Sequence, residues 1–258
     1  MTSPFHPPLT GVHNFRDYGG YQADGGMVPK GLLYRSGHHV KATDEDLEAL
    51  RALDIRTVID LRGITEREAN PCRRHEGWEG EVIGYEGETT SSPPHMDIGP
   101  EVTFVDFARD RMLAVYTRMP ENPAMHTMFG RYLNALAERD GASLVHCFAG
   151  KDRTGIAAML LFHILGVSEE DQRAEYLLTN AAPTLAVLRA QSVPKMEASI
   201  GRKMDEASIR AYLEVHEDYL ERFHETVRAK SGSLDAWLAY VIGVDDALRQ
   251  RLRAKYIV

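Results

Sequence analysis

A chain of 258 residues with 43% apolar residues can bury one substantial core, which favours one domain with an elaboration over two equal domains. Its net charge of −8 argues against a nucleic-acid partner, because such binding needs a basic surface that neutralises many phosphates. Two cysteines make no disulfide framework, no stretch reaches the about 18 uninterrupted apolar residues of a membrane span, and MTSPFHPPL lacks the basic start and apolar run of a secretory signal, so a cytoplasmic protein is expected.

From Gly11 to Gly37 the chain is β-rich, with turn signals at Tyr18-Gly19-Gly20-Tyr21 and Ala23-Asp24-Gly25-Gly26. Thr43-Asp44-Glu45-Asp46 reads as a helix cap, followed by Leu47, Leu50 and Leu53 on one face. Ile55 to Asp60 is a buried strand, and a short strand is expected around Glu81 to Gly84. Glu86 to Glu101, with Thr-Thr-Ser-Ser-Pro-Pro, reads as a mobile loop. Phe104 to Arg118 and Pro123 to Arg139 are expected to be helices.

Ser143 to His146 then forms a short apolar strand after Asp140-Gly141, and GIAAMLLFHILGV from Gly155 is an almost wholly apolar helix pattern. Between them lies HCFAGKDRTG, His146 to Gly155. A loop feeding a helix start turns backbone N–H groups of Phe148, Ala149, Gly150, Lys151, Asp152 and Arg153 toward one small concavity, where the helix dipole also favours an anion. Cys147 in that field becomes a thiolate and a nucleophile, since helix N-termini and nearby cations lower a thiol's pKa from about 8.5 into the range of roughly 3.5–7.5. Arg153 can return across the loop so that its planar fork takes two oxygens of a phosphoryl group. Gly150 and Gly155 suit a backbone that curls closely around a ligand.

Beyond this helix, Ser168-Glu169-Glu170-Asp171 starts another that runs to about Thr179. Ile209, Tyr212, Leu213, His216, Tyr219, Leu220, Phe223 and Val227 recur at helical spacing and predict an amphipathic helix. Gly232-Ser233 breaks to a last helical segment from about Leu234. Strands alternating with helices imply an α/β fold with a mostly parallel sheet, its ligands beyond the strands' carboxyl ends, where the HCFAGKDRTG loop and Asp60 both fall.

HCFAGKDRTG resembles the signature of the cysteine-dependent phosphatases, and its GKDRTG ending resembles the bacterial atypical tyrosine-protein phosphatase and phosphoinositide phosphatase branch. NFRDYGGYQADGGMVPKGLLYRSG (Asn14 to Gly37) is similar to that family's opening, and IRTVIDLR (Ile55 to Arg62) to its next strand. The resemblance implies one cysteine-dependent phosphatase domain over 1–258, with a central mostly parallel sheet flanked by helices. It also implies a helical lid-like insertion over 183–230, although a plain core-covering helix explains the same pattern. Met196 and Met204 would suit the lid's apolar underside.

The implied reaction is in-line attack of Cys147 on a phosphomonoester and hydrolysis of a cysteinyl-phosphate, without cofactor or metal. Phosphotyrosine protein is the expected substrate, with phosphoserine/threonine and phosphoinositide activity beside it. Two aspartates compete as general acid: Asp60, matching the family's DLR aspartate, and Asp152, whose place holds an acid–base aspartate in myotubularin-type phosphoinositide phosphatases. Either could instead hold an arginine, while Asp97, Asp106 and Asp110 are outsiders and no Trp-Pro-Asp sequence occurs. Thr154 would donate to the sulfur or cap the helix, His146 would orient the loop, and Arg62 and Lys30 are possible rim charges. Lys151 could contact inositol-ring phosphates or face solvent, and Cys72 could pair with Cys147 under oxidation or be an ordinary structural cysteine. Sulfur transfer or arsenate reduction, and a noncatalytic phosphate-binding module, are the competing readings; oligomeric state is open.

Overall fold

The computed structural model describes residues 3–89 and 104–258, so Asp97 and most of the expected 86–101 loop lie outside the described residues. Five strands form the main sheet in the order β1 (Arg16–Asp17), β4 (Leu33–Ser36), β7 (Ala142–His146), β5 (Ile55–Asp60) and β6 (Glu81–Ile83). β1 runs antiparallel to β4, and the other neighbours are parallel. A separate two-residue hairpin, β2 (Gln22–Ala23) with β3 (Gly26–Met27), occupies the expected Asp24-Gly25 turn.

The strand pattern places apolar side chains alternately on the two faces of the sheet. Ala142 and Leu144 of β7 join Val58, Tyr34 and the Leu47 and Leu50 of α1 (Asp44–Arg51) on one side. Val145 and Cys147 join the larger core on the other, with α4 (Pro123–Glu138), α5 (Asp152–Leu165) and α11 (Asp246–Tyr256). α5 is apolar on every side, and all of it except Asp152 and His163 is buried, as a helix without a polar face must be. Gly166, at φ +76°, closes it in the left-handed conformation that glycine adopts without penalty.

β7 is the middle strand, and its register aligns Ser36, His146 and Asp60 across the carboxyl ends of β4, β7 and β5. The loop leaving β7 therefore emerges between two parallel neighbours and enters α5 directly. No described helix is long and apolar enough to cross a membrane.

Two expected helices are divided. The 209–227 pattern splits into α8 (Glu206–Leu213) and α9 (Glu217–Ser231), because Asn180 accepts the Val215 N–H at 2.8 Å and donates to the Val215 carbonyl at 2.8 Å. That clamp takes the backbone groups a continuous helix would use. The last segment splits into α10 (Leu234–Trp237), a π-turn at Leu238–Ile242, and α11, with Gly243 at φ +85° between them. Among the described residues four α-helices remain: α2 (Ile64–Ala69), α3 (Phe104–Arg118), α6 (Glu169–Leu177) and α7 (Leu185–Ile200). α7 buries none of its residues fully. Val193, Met196 and Ile200 of α7 instead pack in a small cluster with Phe107, Met204 and Ile209, apart from the main core.

Candidate active site

The loop from Cys147 to Lys151 is defined by where its backbone groups go. Among the described residues, none of the N–H groups from Phe148 to Thr154 donates a hydrogen bond, whereas the Phe148 and Gly150 carbonyls are tied outward. Phe148 O accepts from His38 N–H at 3.0 Å, and Gly150 O accepts from Asn14 Nδ2 at 2.8 Å and Arg35 Nη2 at 2.9 Å. In a planar trans peptide the N–H points opposite to the C=O. Anchoring those two carbonyls outward therefore turns the amides of Ala149 and Lys151 to the other side, toward one concavity. An exposed row of unpaired amides at a helix start is an anion site.

Close packing makes the loop possible. Gly150 stands at φ +67°, and a Cβ there would lie 2.3 Å from the backbone carbon of Ser36. A Cβ on Gly37 would likewise meet Phe148 O at 3.0 Å. Gly155 leaves room for the ring of Tyr176, which a Cβ would approach to 2.9 Å.

Cys147 lies at the base of this loop, 3% exposed. Arg153, on the first turn of α5, is 9% exposed and is gripped by Glu66 of α2 through a two-pronged pair at 2.6 and 2.9 Å. The same guanidinium donates to Leu61 O at 3.2 Å and to the Thr89 hydroxyl at 3.1 Å. Its Nε–H and second Nη2–H meet no acceptor among the described residues, which leaves one edge of the fork for an oxyanion. Burial alone would lower the Arg153 pKa, but Glu66 and the charges of Cys147 and Asp152 hold it above its usual value. Burial alone would likewise raise the Glu66 carboxyl, and Arg153 draws it below the carboxylate range.

The two candidate acids stand in different settings. Asp60 is 3% exposed, and its oxygens accept Arg62 Nε at 2.9 Å, Arg62 Nη2 at 2.7 Å and the Arg62 N–H at 3.1 Å. Burial would raise its pKa; the His146 ring when protonated and the Arg62 fork at neutral pH bring it to about 2. A carboxyl so bound holds no proton to give at neutral pH. Asp152 keeps part of its carboxylate in the open, at 23% side-chain exposure, and accepts the Tyr116 hydroxyl at 2.7 Å with Lys151 Nζ at 3.1 Å. Asp106 and Asp110 sit at exposed positions on α3.

Arg62 is not a rim charge: it is 1% exposed, its donors consumed by Asp60, Asn70 O at 2.8 Å and Cys72 Sγ at 3.2 Å. Lys151 does not face solvent either. It is 5% exposed, and its ammonium donates to Tyr212 O at 2.9 Å and Glu214 O at 3.2 Å, the carbonyls at the end of α8, besides pairing with Asp152. Phe148 is 43% exposed and meets the His38 ring edge-on at 4.7 Å, beside Ala149. Thr154 does not cap α5, whose N-cap is Lys151; its buried hydroxyl has no hydrogen-bond partner among the described residues. The stem of Lys30 lies against Gly20, in the N-terminal β region.

His146 is fully buried, with Nδ1 3.3 Å from Cys147 O and the ring stacked on His39, and burial brings its pKa to about 4, so it is neutral at pH 7. His146, Asp60 and Cys72 bring three potential metal-ligand atoms within 4.8 Å of one another. Arg62 already bonds both Asp60 and Cys72 there, so a cation is supplied by the protein itself. Both cysteines are free thiols.

Glu66, Thr89, Asn14, Arg35 and Tyr116 are absent from the residues the sequence singles out for chemistry. Asn14 and Arg35 sit inside the NFRDYGG and LYRSG blocks, which was the available signal; Glu66 and Tyr116 carry none beyond being polar groups near apolar runs.

A family model described as "Tyrosine phosphatase family" matches residues 7–258. A protein of Cupriavidus necator, provisionally named a tyrosine-protein phosphatase, is 32% identical over 250 residues, covering 95% of this chain and 86% of its own. The triple specificity protein phosphatase PtpB of Mycobacterium tuberculosis is 26% identical over 282 residues, covering 95% and 96%. A tyrosine-protein phosphatase of Nostoc commune is 30% identical over 156 residues, covering 59% of this chain and 49% of its own.

Proposed function

We propose that this chain, which belongs to the tyrosine phosphatase family, hydrolyses phosphomonoesters through a cysteinyl-phosphate formed on Cys147. The observation that carries the reading is the run of amides from Phe148 to Thr154, unpaired among the described residues, with Cys147 at its start and Arg153 fixed by Glu66 at its end. The thiolate attacks phosphorus in line as the bond to the leaving oxygen breaks, and the loop amides with the free edge of Arg153 take the three equatorial oxygens. Asp152 gives the leaving oxygen its proton, since Asp60 is buried and bound by both prongs of the Arg62 fork, whereas Asp152, beside Lys151 and Tyr116, keeps part of its carboxylate exposed at the loop. Water then attacks the cysteinyl-phosphate, Asp152 takes back a proton, and Thr154 donates to the departing sulfur.

Phosphotyrosine protein is the proposed main substrate, with phosphoserine/threonine and phosphoinositides beside it; the Mycobacterium tuberculosis relative is named for triple specificity. The proposed unit is one phosphatase domain over 1–258, in which the α7–α8 part of 183–230 works as a lid, whereas α9 covers the main core through Tyr219, Leu220, Phe223 and Val227. Two features support the lid: its α7–α8 side chains, Tyr212 excepted, cluster apart from the main core, and the Lys151 ammonium joins α8 to the loop. An inositol-ring phosphate reaches Lys151 only when α8 has moved off it.

Cys147→Ser tests the reading. Turnover of an aryl phosphate should vanish while binding of inorganic phosphate persists, and wild-type turnover in that variant would refute the nucleophile. Parallel assays on phosphotyrosine peptide, phosphoserine peptide and phosphoinositide vesicles rank the substrates, and a phosphoinositide rate above the phosphotyrosine rate would reverse the proposed order.

A further inference from the structure

Behind the loop, sealed from water, lies a cluster that the proposed chemistry does not use. Arg16 on β1 and Arg35 on β4 are 1% and 0% exposed, and Glu175 on α6 is 2% exposed. Glu175 serves both: Oε1 accepts Arg16 Nε at 2.7 Å and Oε2 accepts Arg35 Nη1 at 2.5 Å. Every other bond of the two guanidiniums goes to a neutral group. Arg16 reaches Glu175 O, Thr179 and both oxygens of Asn14, and Arg35 reaches Gly150 O.

The facing groups add no second anion. Tyr18 and Tyr132 stay protonated because burial raises their pKa, as it raises that of Tyr21 to about 12. His13 is neutral at pH 7, with a pKa brought to about 4 by burial and by the charge of Arg16. Asp17, next along β1, turns to the amides of Gly19 and Gly31. Arg16 keeps its charge, although burial lowers its pKa to about 10. Among the described residues the cluster therefore sets two buried positive charges against one negative. Such an imbalance is costly in a low-dielectric interior unless a counter-charge is nearby.

That counter-charge belongs in the cup. Arg35 bonds the Gly150 carbonyl, whose peptide carries the Lys151 N–H on its opposite side. A cation on the oxygen draws electrons through the amide and makes that N–H a stronger donor. We propose that the Arg16–Glu175–Arg35 cluster is a buried electrostatic element of the active site, with Arg35 as a positioning residue that strengthens the loop amides toward the Cys147 thiolate and the phosphoryl oxygens. The inference rests on the reading of Cys147 as nucleophile.

Charge and scaffold make opposite predictions for one substitution. Glu175→Gln keeps the size of the side chain and removes the counter-charge, so the surplus grows. The apparent pKa of the Cys147 thiol, read from the pH dependence of inactivation of the full chain by iodoacetate, should fall, and competitive inhibition by inorganic phosphate should tighten. Arg16→Gln, which touches no loop atom, should raise the thiol pKa by about one unit and weaken phosphate about tenfold. Arg153, Lys151, Asp152, Glu66 and the Asp60–Arg62 pair are untouched in both variants.

A cluster that merely holds the fold predicts that Glu175→Gln loosens the loop as well. A raised thiol pKa in folded Glu175→Gln, or an unmoved one in folded Arg16→Gln, overturns the proposal. Should Glu175→Gln fail to fold, Arg16→Lys decides beside Arg16→Gln: the lysine must keep the wild-type value and the glutamine must lose it. A wild-type Cys147 thiol of ordinary pKa removes the nucleophile reading and this inference with it, whereas a low wild-type value that neither variant shifts sinks this inference alone.

Discussion

The two sides of the 147–153 loop are held in opposite ways. Behind it, Asn14, Arg35, Glu175 and the end of β4 fix carbonyls and backbone in a fully buried network. In front, α7 has no fully buried residue, and α8 rests with it on a small apolar cluster around Phe107, Met204 and Ile209. Oxyanion donors work only when their geometry is set before charge develops, whereas a cover over a substrate site must be cheap to displace. The molecule places its costly buried polar groups where order is needed and leaves little apolar area where movement is needed.

The sharpest way to break the rigid side is Gly150→Ala. Its Cβ would meet backbone at 2.3 Å, and its φ of +67° is one that alanine rarely adopts, so the loop itself must shift. Losing aligned oxyanion donors costs about 10²–10³ in kcat, and a fall of that size in aryl phosphate turnover, with an unchanged far-UV circular dichroism spectrum, is expected. Retained turnover would show that the amides are not held by this turn.

Glu66→Gln should act less severely. It keeps the shape that meets Arg153 but loses the charge pairing at 2.6 and 2.9 Å, leaving the fork free to rotate. A drop in kcat of about tenfold, larger than any change in KM, is expected from a misplaced transition-state contact. A change in KM alone would assign Glu66 to ground-state binding instead.

Acid attacks the rigid side too. His13 and His146 are buried neutral, with pKa values of about 4 set mainly by burial, below the unfolded value of 6.5. The folded state thus binds fewer protons than the unfolded one between those values. Stability is whole above about pH 6.5 and is lost as pH falls toward 4, by up to about 1.4 kcal/mol per pH unit for each ring. Urea midpoints should therefore fall between pH 7 and pH 5 by the equivalent of about 2 kcal/mol for each ring, about 4 kcal/mol for the two, and a flat profile would mean that the rings open to solvent without cost.

Much of the rigid side was legible in the sequence, and the movable side much less so. Residues 142–165 declare themselves, because a short apolar strand, a glycine-bearing loop and an all-apolar helix admit few arrangements. α2 carries no such signal: its six residues, ITEREA, bury none of their side chains and show no period, so Glu66 was invisible as the partner of Arg153. The division of α8 from α9 was hidden for another reason. Glu214, Val215 and His216 contain no helix breaker, and the break comes from Asn180, 35 residues away, and from Lys151. Arg62 shows the same limit, for a sequence states that an arginine is charged but not that Asp60 and Cys72 will bury it.

The smallest expected effect probes the link between the two sides. Lys151 Nζ donates to the carbonyls of Tyr212 and Glu214 where α8 ends, and a cation there also suits the negative end of the helix dipole. Lys151→Met keeps the stem and removes those bonds, leaving two carbonyls to be satisfied by water as α8 loosens. The loss is about 1 kcal/mol for that contact, so amides of 206–213 should exchange with deuterium about fivefold faster, while those of α5 and β7 keep their rates. A uniform acceleration across the whole chain would mean that cover and loop open as one unit. Unchanged exchange at 206–213 would mean that the apolar cluster alone holds α8, and the contrast between the two sides would then be sharper than the Lys151 bridge implies.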